Sequence, residues 1–367
     1  MIAFYAPLKA PDHPVASGDR RMARLLFAAL ERAGLSPRVE SRLRAYEPTG
    51  AAEAQAAIDA AAEAEAERLI AACRAGTVAA PRLWFTYHCY YKAVDRLGPV
   101  VARALGIPYC VAEASRAPSR AVGPFAAAHA RVEAALDSAD AIFVMTARDR
   151  PALERARPAG QLLVDLPPFV EGGGAPFRPR PVREAMHLLT VAMMRRGDKL
   201  ESYRQLAHAL ARVDRPWRLT VAGDGAARAE VETLFASFGE RVRFAGLVED
   251  AAALDALYDD ADLFVWPAVN EAYGMVFLEA AARGCPALAG DHGGVASVVI
   301  ADDTGVLAPP DNAAAFARAL CRLADDPARR NALGARAHAL VRDGRNLDGA
   351  ARILRGALLP LIEGERA

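Results

Sequence analysis

The chain has 367 residues, 53% of them apolar, with 45 basic residues against 45 acidic ones. That length is too great for one ordinary core and suits two α/β domains, while so apolar a composition argues against disorder. Neither half carries the positive excess of a protein that grips polyanions, so no nucleic-acid partner is expected; five cysteines without a C-x-x-C pair (Cys73, Cys89, Cys110, Cys285, Cys321) support neither a disulfide framework nor a zinc site.

The N-terminus lacks the charged region of a signal peptide, and Ile2–Tyr5 reads as a strand. Residues 7–17 hold three prolines and form a loop. From Asp19, the residues Met22, Leu25, Leu26, Ala29 and Leu30 recur at helical spacing and stop at Gly34. Arg20, Arg21 and Arg24 on this helix suit an anionic surface, but an ordinary domain helix is the favoured reading. Membrane contact is therefore open but not favoured. No apolar run approaches the ~18 residues of a membrane span, and the expected location is the cytoplasm, where thiols stay reduced.

Val39 begins another strand, and residues 50–75, rich in Ala and Glu, form a surface helix with Ile58, Leu69 and Ile70 as its few anchors. Leu83–Tyr87 is a strand. A helix carrying Val94, Leu97, Val100, Val101 and Leu105 ends at Gly106. Strand Pro108–Ala112, helix Ala126–Ser138 and strand Ala141–Met145 follow. This alternation predicts a parallel sheet flanked by helices. The pattern breaks at Leu166-Pro-Pro-Phe-Val and Gly172-Gly-Gly, and Pro and Gly cluster through Pro181, which marks an interdomain linker.

A second alternation starts at Leu188–Met193. It continues through strand Trp217–Ala222, helix Ala227–Phe238, strand Val242–Ala245, helix Ala252–Ala261 and strand Leu263–Trp266. Helix Gly274–Gly284, strand Pro286–Ala289 and helix Ala313–Ala324 complete it. From Asn331 the chain is helical almost to its end, with a break near Gly344. The expected domains are 1–170, 171–345 and a terminal helix, 346–367, packing back toward the first. Both are Rossmann-like, with ligands expected in the cleft between strand C-terminal ends.

The most informative stretch runs from Phe264 to Pro286. An apolar strand enters a loop at Pro267, the loop carries Glu271, and a helix begins near Gly274 with Glu279 inside it. A helix start presents free N–H groups and a positive dipole end, which suits an anion. Spacing alone is equally served by Glu271 as a helix cap and Glu279 as a solvated residue. Asp259-Asp-Ala-Asp262 imitates an acidic metal triplet but sits at a helix end, where a solvated cap is expected. Gly223-Asp-Gly gives G-x-G without a third glycine, and no Walker, H-E-x-x-H or G-x-S-x-G motif occurs.

The stretch resembles the signature of the family 4 retaining glycosyltransferases, in which two glutamates are separated by seven residues after a strand ending in Pro. Glu271 and Glu279 match it, as do Gly274 and Gly284-Cys-Pro. Val221-Ala-Gly-Asp-Gly, Val242-Arg-Phe-Ala-Gly-Leu-Val, Gly293-Gly294 and Thr304-Gly-Val-Leu-Ala-Pro-Pro continue the resemblance over about 186–345. Over 1–170 the likeness is architectural.

The resemblance implies a fold of two facing Rossmann-like domains (GT-B) with the active site in the cleft. It implies that Glu279 bonds the donor ribose and Glu271 the hydroxyls of the transferred sugar. The N–H groups of Tyr273, Gly274, Met275 and Val276 would face sugar and phosphate, and Lys199 the diphosphate. A family arginine about five residues before that lysine is replaced by Met193-Met194, so Arg195 or Arg196 takes its place. Gly223 and, after the next strand, Leu247 and Val248 fall on donor-binding segments. In the first half, Ser17-Gly18 resembles the family's glycine-rich loop. The family histidine corresponds to Glu113, with His88 the alternative.

The implied activity is sugar transfer from a nucleotide-diphosphate sugar to a small-molecule, glycan or lipid acceptor, with no cofactor and no metal. An epimerase or phosphorylase on the same fold, or an inactive nucleotide-sugar-binding relative, is the alternative.

Overall fold

The computed structural model describes residues 1–15, 17–172 and 176–364. Gly173 and Gly174 of the expected linker and residues 365–367 of the expected terminal segment lie outside them. The chain divides into two units, Met1–Pro167 with Leu347–Ala367, and Pro168–Asn346.

The first unit alternates β1 (Ile2–Tyr5), α1 (Gly18–Arg32), β2 (Pro37–Val39), α2 (Ala52–Arg74), β3 (Trp84–Cys89), α3 (Gly98–Leu105), β4 (Tyr109–Ala114), α4 (Ala126–Asp137), β5 (Ala141–Val144), α5 (Arg150–Arg155) and β6 (Leu162–Asp165). Its six strands form a parallel sheet in the order β2-β1-β3-β4-β5-β6. The central strands are largely apolar and buried because helices cover both faces, with Thr86, His88 and Glu113 as the polar exceptions. Phe4 pairs with Phe85 in register, and their rings stack at 6.0 Å.

The unit is completed by α12 (Leu347–Glu363), which packs on α1. Leu354 and Leu358 are buried, Arg32 Nε lies 2.6 Å from Asp348 Oδ1, and Arg355 Nη1 donates to the Ala33 carbonyl at 2.9 Å.

The second unit runs β7 (Met186–Val191), α6 (Asp198–Leu210), β8 (Trp217–Ala222), α7 (Arg228–Phe235), β9 (Val242–Gly246), α8 (Ala251–Asp260), β10 (Leu263–Trp266), α9 (Met275–Ala282), β11 (Ala287–Gly290), β12 (Gly305–Ala308), α10 (Ala313–Asp325) and α11 (Pro327–Asp343). Its sheet is also parallel, ordered β12-β11-β10-β7-β8-β9. Both units are therefore Rossmann-like.

Strand order reverses between β1 and β3 in the first sheet and between β7 and β10 in the second. At such a point the adjacent connections leave in opposite directions, and a crevice opens at the strand C-terminal ends.

Several expectations need correction. The helix expected from Val94 starts at Gly98, because the Asp95 carboxylate accepts from the N–H groups of Leu97 and Gly98 at 2.9 and 2.8 Å and fixes a turn ahead of it. α5, β6 and β12 were not expected as elements. The helix expected to reach Phe238 stops at Phe235, and Gly239 at φ 57 closes a 3-10 turn after it. In the acidic triplet, Asp262 is not solvated. It is 1% exposed, accepts from the His187 N–H at 2.8 Å and pairs with Arg183. The surface helix α2 does bury a stripe, but of alanine: Ala62 and Ala66 join Leu69, while Ile58 is half-buried.

Candidate active site

In the second unit the switch point is built by the loops after β7 and β10. Following β10, Ala268 and Asn270 adopt left-handed φ of 58° and 50°. Neither is glycine, so the turn is strained and must be held by its surroundings. The N–H of Val269 donates to Ser202 Oγ at 2.9 Å, and Asn270 Nδ2 donates to Asp198 Oδ2 at 3.0 Å. Both partners lie on α6, so the two loops are tied together. A side chain at Gly290 on the neighbouring strand would overlap the Pro267 carbonyl.

This turn delivers Glu271 to Lys199, whose Nζ donates to Glu271 Oε2. The ammonium also lies 5.6 Å from the centroid of Trp266, a favourable cation–π distance. The pair is partly open to solvent, with 32% and 19% of the two side chains exposed. Glu271 therefore does not cap α9. The N-cap position is Gly274 at φ 78, and no side chain caps the helix. The N–H groups of Met275 and Val276 at its first turn have no acceptor inside the helix, while that of Phe277 donates to the Gly274 carbonyl at 3.1 Å. Gly274 is required by space as well as by φ, since a Cβ there would sit 2.8 Å from the Phe277 ring. Tyr273 and Met275 are buried. Glu279 is half-buried, and its Oε2 accepts from Tyr258 Oη at 3.0 Å.

The other expected residues of this unit are dispersed. Arg195 and Arg196 are exposed, and the Arg196 guanidinium pairs with Glu230 at 2.9 Å rather than joining Lys199. Gly223 serves packing: at φ 140 a Cβ would overlap the Ala192 carbonyl. Its loop is stitched to the segment after β7 by Met194 N–H to Asp224 O at 2.9 Å. Leu247 is exposed and Val248 half-buried beyond the end of β9.

In the first unit the switch point gathers titratable groups. His88 on β3 and Glu113 on β4 lie opposite each other, since Tyr87 pairs with Ala112 and Cys89 with Ala114. Both have left-handed φ, 67° and 57°. Two non-glycine residues so strained in matching register inside strands signal a functional constraint. His88 Nε2 is 3.9 Å from Glu113 Oε1, and Nδ1 is 3.2 Å from Asp19 Oδ1 without the alignment of a good hydrogen bond. Tyr90 stacks on the imidazole at 4.5 Å.

Burial disfavours the imidazolium, but Glu113, Asp19 and Asp149 outweigh it and raise the pKa of His88 to about 9. Burial likewise works against the Asp19 carboxylate, but His88 overcomes it and lowers the Asp19 pKa. The two residues expected as alternatives for one position are thus neighbours. Ser17 caps α1, its Oγ accepting from Arg20 N–H at 3.2 Å, and Gly18 has open space where a Cβ would point.

The sequence did not single out Asp19, Asp149, Tyr258 or Trp266. An acidic residue directly after Gly18 at a helix start was the one available signal for Asp19. Among the described residues no group of three or more His, Cys, Asp or Glu side chains is arranged to hold a metal ion, and no helix is long and apolar enough to cross a membrane.

Residues 185–326 match the family model Glycosyl transferases group 1. An exopolysaccharide phosphotransferase of Streptomyces coelicolor is 32% identical over 207 residues, 54% of this chain and 21% of that protein. A D-inositol 3-phosphate glycosyltransferase of Kineococcus radiotolerans is 41% identical over 104 residues, covering 26% and 24%. The chain thus spans about a fifth to a quarter of these relatives. A 2-deoxystreptamine glucosyltransferase of Streptomyces kanamyceticus is 28% identical over 254 residues, 63% of this chain and 65% of that one.

Among solved structures, a sucrose-phosphate synthase of Thermosynechococcus elongatus superposes with a TM-score of 0.71 at 23% identity, covering 99% of this chain and 100% of the other. Anabaena HepE in complex with UDP-glucose gives 0.66 at 15%, covering 98% and 99%. At those identities the likeness is one of fold. Residues 185–326, most of the second unit, thus resemble the group 1 glycosyl transferases, and the chain shares with these solved structures a GT-B fold of two Rossmann-like domains.

Proposed function

We propose that the chain is a retaining, metal-independent glycosyltransferase that moves a sugar from a nucleotide-diphosphate sugar to a small acceptor and works in a reducing compartment. The observation that carries the reading is the Lys199–Glu271 pair beside the uncapped start of α9. A cation and a helix N-terminus at a switch point suit a diphosphate. Glu271 then serves the sugar hydroxyls. Glu279, held by Tyr258, serves the ribose. Arg195 or Arg196 supplies a second cation, which for Arg196 means leaving Glu230.

In the transfer, the bond from the anomeric carbon to the diphosphate oxygen breaks as the acceptor oxygen bonds the same face. The acceptor proton passes to the departing diphosphate. Charge grows on that leaving group, and fixed donors aimed at such charge are worth about 2.7–4 kcal/mol each. Lys199 and the first-turn N–H groups fill that role without a metal. Glu271 bears on hydroxyls and is not a covalent nucleophile in this scheme, unlike the second carboxylate of retaining glycosidases.

The names of the relatives suggest cyclitol acceptors, phosphorylated or amine-bearing. Three carboxylates around the one His88 imidazolium favour the amine-bearing kind.

The test is turnover of UDP-, GDP-, ADP- and dTDP-sugars with 2-deoxystreptamine and inositol phosphate as acceptors, with the product anomer read by NMR. Since neighbours of this fold hold UDP and UDP-glucose, UDP-sugars come first. Transfer that persists in excess EDTA and keeps the donor's anomeric configuration is expected. A β-linked product from an α-linked donor, or activity that Mg²⁺ alone restores, would overturn the mechanism.

A further inference from the structure

We infer that Asp19 is a positioning residue that locks His88, as the imidazolium bridging to Glu113, into one charge-coupled unit at the switch point of the first domain. No motif points to this residue. Asp19 stands at the start of α1, 3.2 Å from His88 Nδ1, while Nε2 faces Glu113 at 3.9 Å. The imidazole is therefore flanked by a carboxylate at each nitrogen, an arrangement that favours both nitrogens protonated. The ring cannot swing away readily, because Tyr90 covers one face at 4.5 Å. Finally, His88 and Glu113 are both held at left-handed φ in matching register, a cost that ordinary strand packing does not require.

Charged groups from every neighbouring element act on this unit. Asp149, before α5, adds negative charge at His88, and Lys9, from the loop after β1, favours the Asp19 carboxylate. Tyr90 feels both Asp19 and Glu113, which push its phenol up further than burial and Tyr46 already do. The guanidinium groups of Arg20 and Arg24 are turned toward loop carbonyls, those of His13 and Pro14 for Arg20 and of Pro11 for Arg24.

Two consequences follow for chemistry. His88 is not a general base near neutral pH, since it already carries its proton. The unit instead presents a fixed cation with Glu113 held ionised beside it, and it loses that character when the imidazolium deprotonates near pH 9. The catalytic arm of this inference rests on the transferase reading; the titration arm does not.

The test follows His88 by NMR in the full chain, with His88→Gln assigning its signal among the seven histidines. In the wild type the midpoint is expected near 9. In Asp19→Asn it should fall by about one pH unit or more, the usual effect of removing a nearby opposite charge, and Asp19→Glu should restore most of the shift. If the chain turns over a donor, the alkaline limb of its kcat/KM profile should move down in Asp19→Asn by the same amount. A wild-type midpoint in the ordinary histidine range overturns the inference. So does an Asn variant that titrates like wild type, or a Glu variant that titrates like the Asn one. Failure of the transferase reading looks different: no donor is consumed by any variant, while the titration still decides the role of Asp19.

Discussion

At the scale of single residues, the pair Lys199–Glu271 holds two requirements in tension. A carboxylate that neutralises Lys199 keeps the lysine in place when no ligand is bound, yet it also competes with an arriving diphosphate for the same ammonium. Lys199 makes this pair across 72 residues of sequence, with the ammonium set over Trp266, so its position does not depend on Glu271 alone. Removing the carboxylate's charge should therefore strengthen binding of the bare nucleoside diphosphate. Glu271→Gln is expected to tighten it several-fold, about 1 kcal/mol for a partly exposed pair, while slowing sugar transfer. Lys199→Ala should weaken it. Calorimetric titration with the nucleoside diphosphate of whichever donor turns over gives the sign directly. Weaker binding in Glu271→Gln would show that the carboxylate assists the diphosphate rather than competing with it.

At the scale of elements, the switch point of the second unit depends on glycines that let one segment lie on another. Gly223 ends β8 with its N–H donating to Gly246 O at 2.7 Å, and any side chain would strike the Ala192 carbonyl. The obstacle is backbone, which cannot rotate away. Gly223→Ala is expected to cost the second unit about 1–3 kcal/mol, the range for overpacking, read by urea unfolding of that unit. A loss below a few tenths would mean the loop shifts freely.

The same elements explain what the sequence disclosed. β8 and β10 were legible to the residue because Trp217–Ala222 and Leu263–Trp266 are short runs between helices and turns. The start of α3 was not, because Val94 and Leu97 keep the helical period although Asp95 breaks the helix ahead of Gly98. β6 escaped because it is an edge strand, half-exposed or exposed along its length, and lacks the buried signature of its neighbours. Glu271 was marked by a motif that spans one loop and one helix, whereas Lys199, 72 residues earlier, was marked only by the resemblance of its own segment to the family. The Asp19–His88 contact was invisible, since nothing local marks two residues 69 positions apart as neighbours before β1 and β3 are known to pair.

At the scale of the whole molecule, the order of the chain and the division of its cores do not coincide. The last helix, α12, belongs to the unit built by the first 167 residues. Its buried Ala350, Ala351, Leu354 and Leu358 are separated in sequence from that unit by the whole of Pro168–Asn346. Two buried leucines alone are worth about 3–6 kcal/mol, a large fraction of the 5–15 kcal/mol that typically holds a domain. Deleting the chain after Asn346 should therefore cripple the first unit and spare the second, which ends at Asn346. Because each unit has its own core, calorimetry should resolve two transitions, and no single unfolding free energy describes the chain. The nucleoside diphosphate identifies which transition is which. At 100 times its dissociation constant it adds about 2.7 kcal/mol to the unit that binds it, and Lys199, Glu271 and α9 all lie in Pro168–Asn346. The expected pattern is a ligand-raised transition that survives the deletion and a second, ligand-indifferent one that the deletion lowers or abolishes. If instead the truncated chain loses the ligand-raised transition, then α12 supports the binding unit as well, and the two cores are not divided at Asn346.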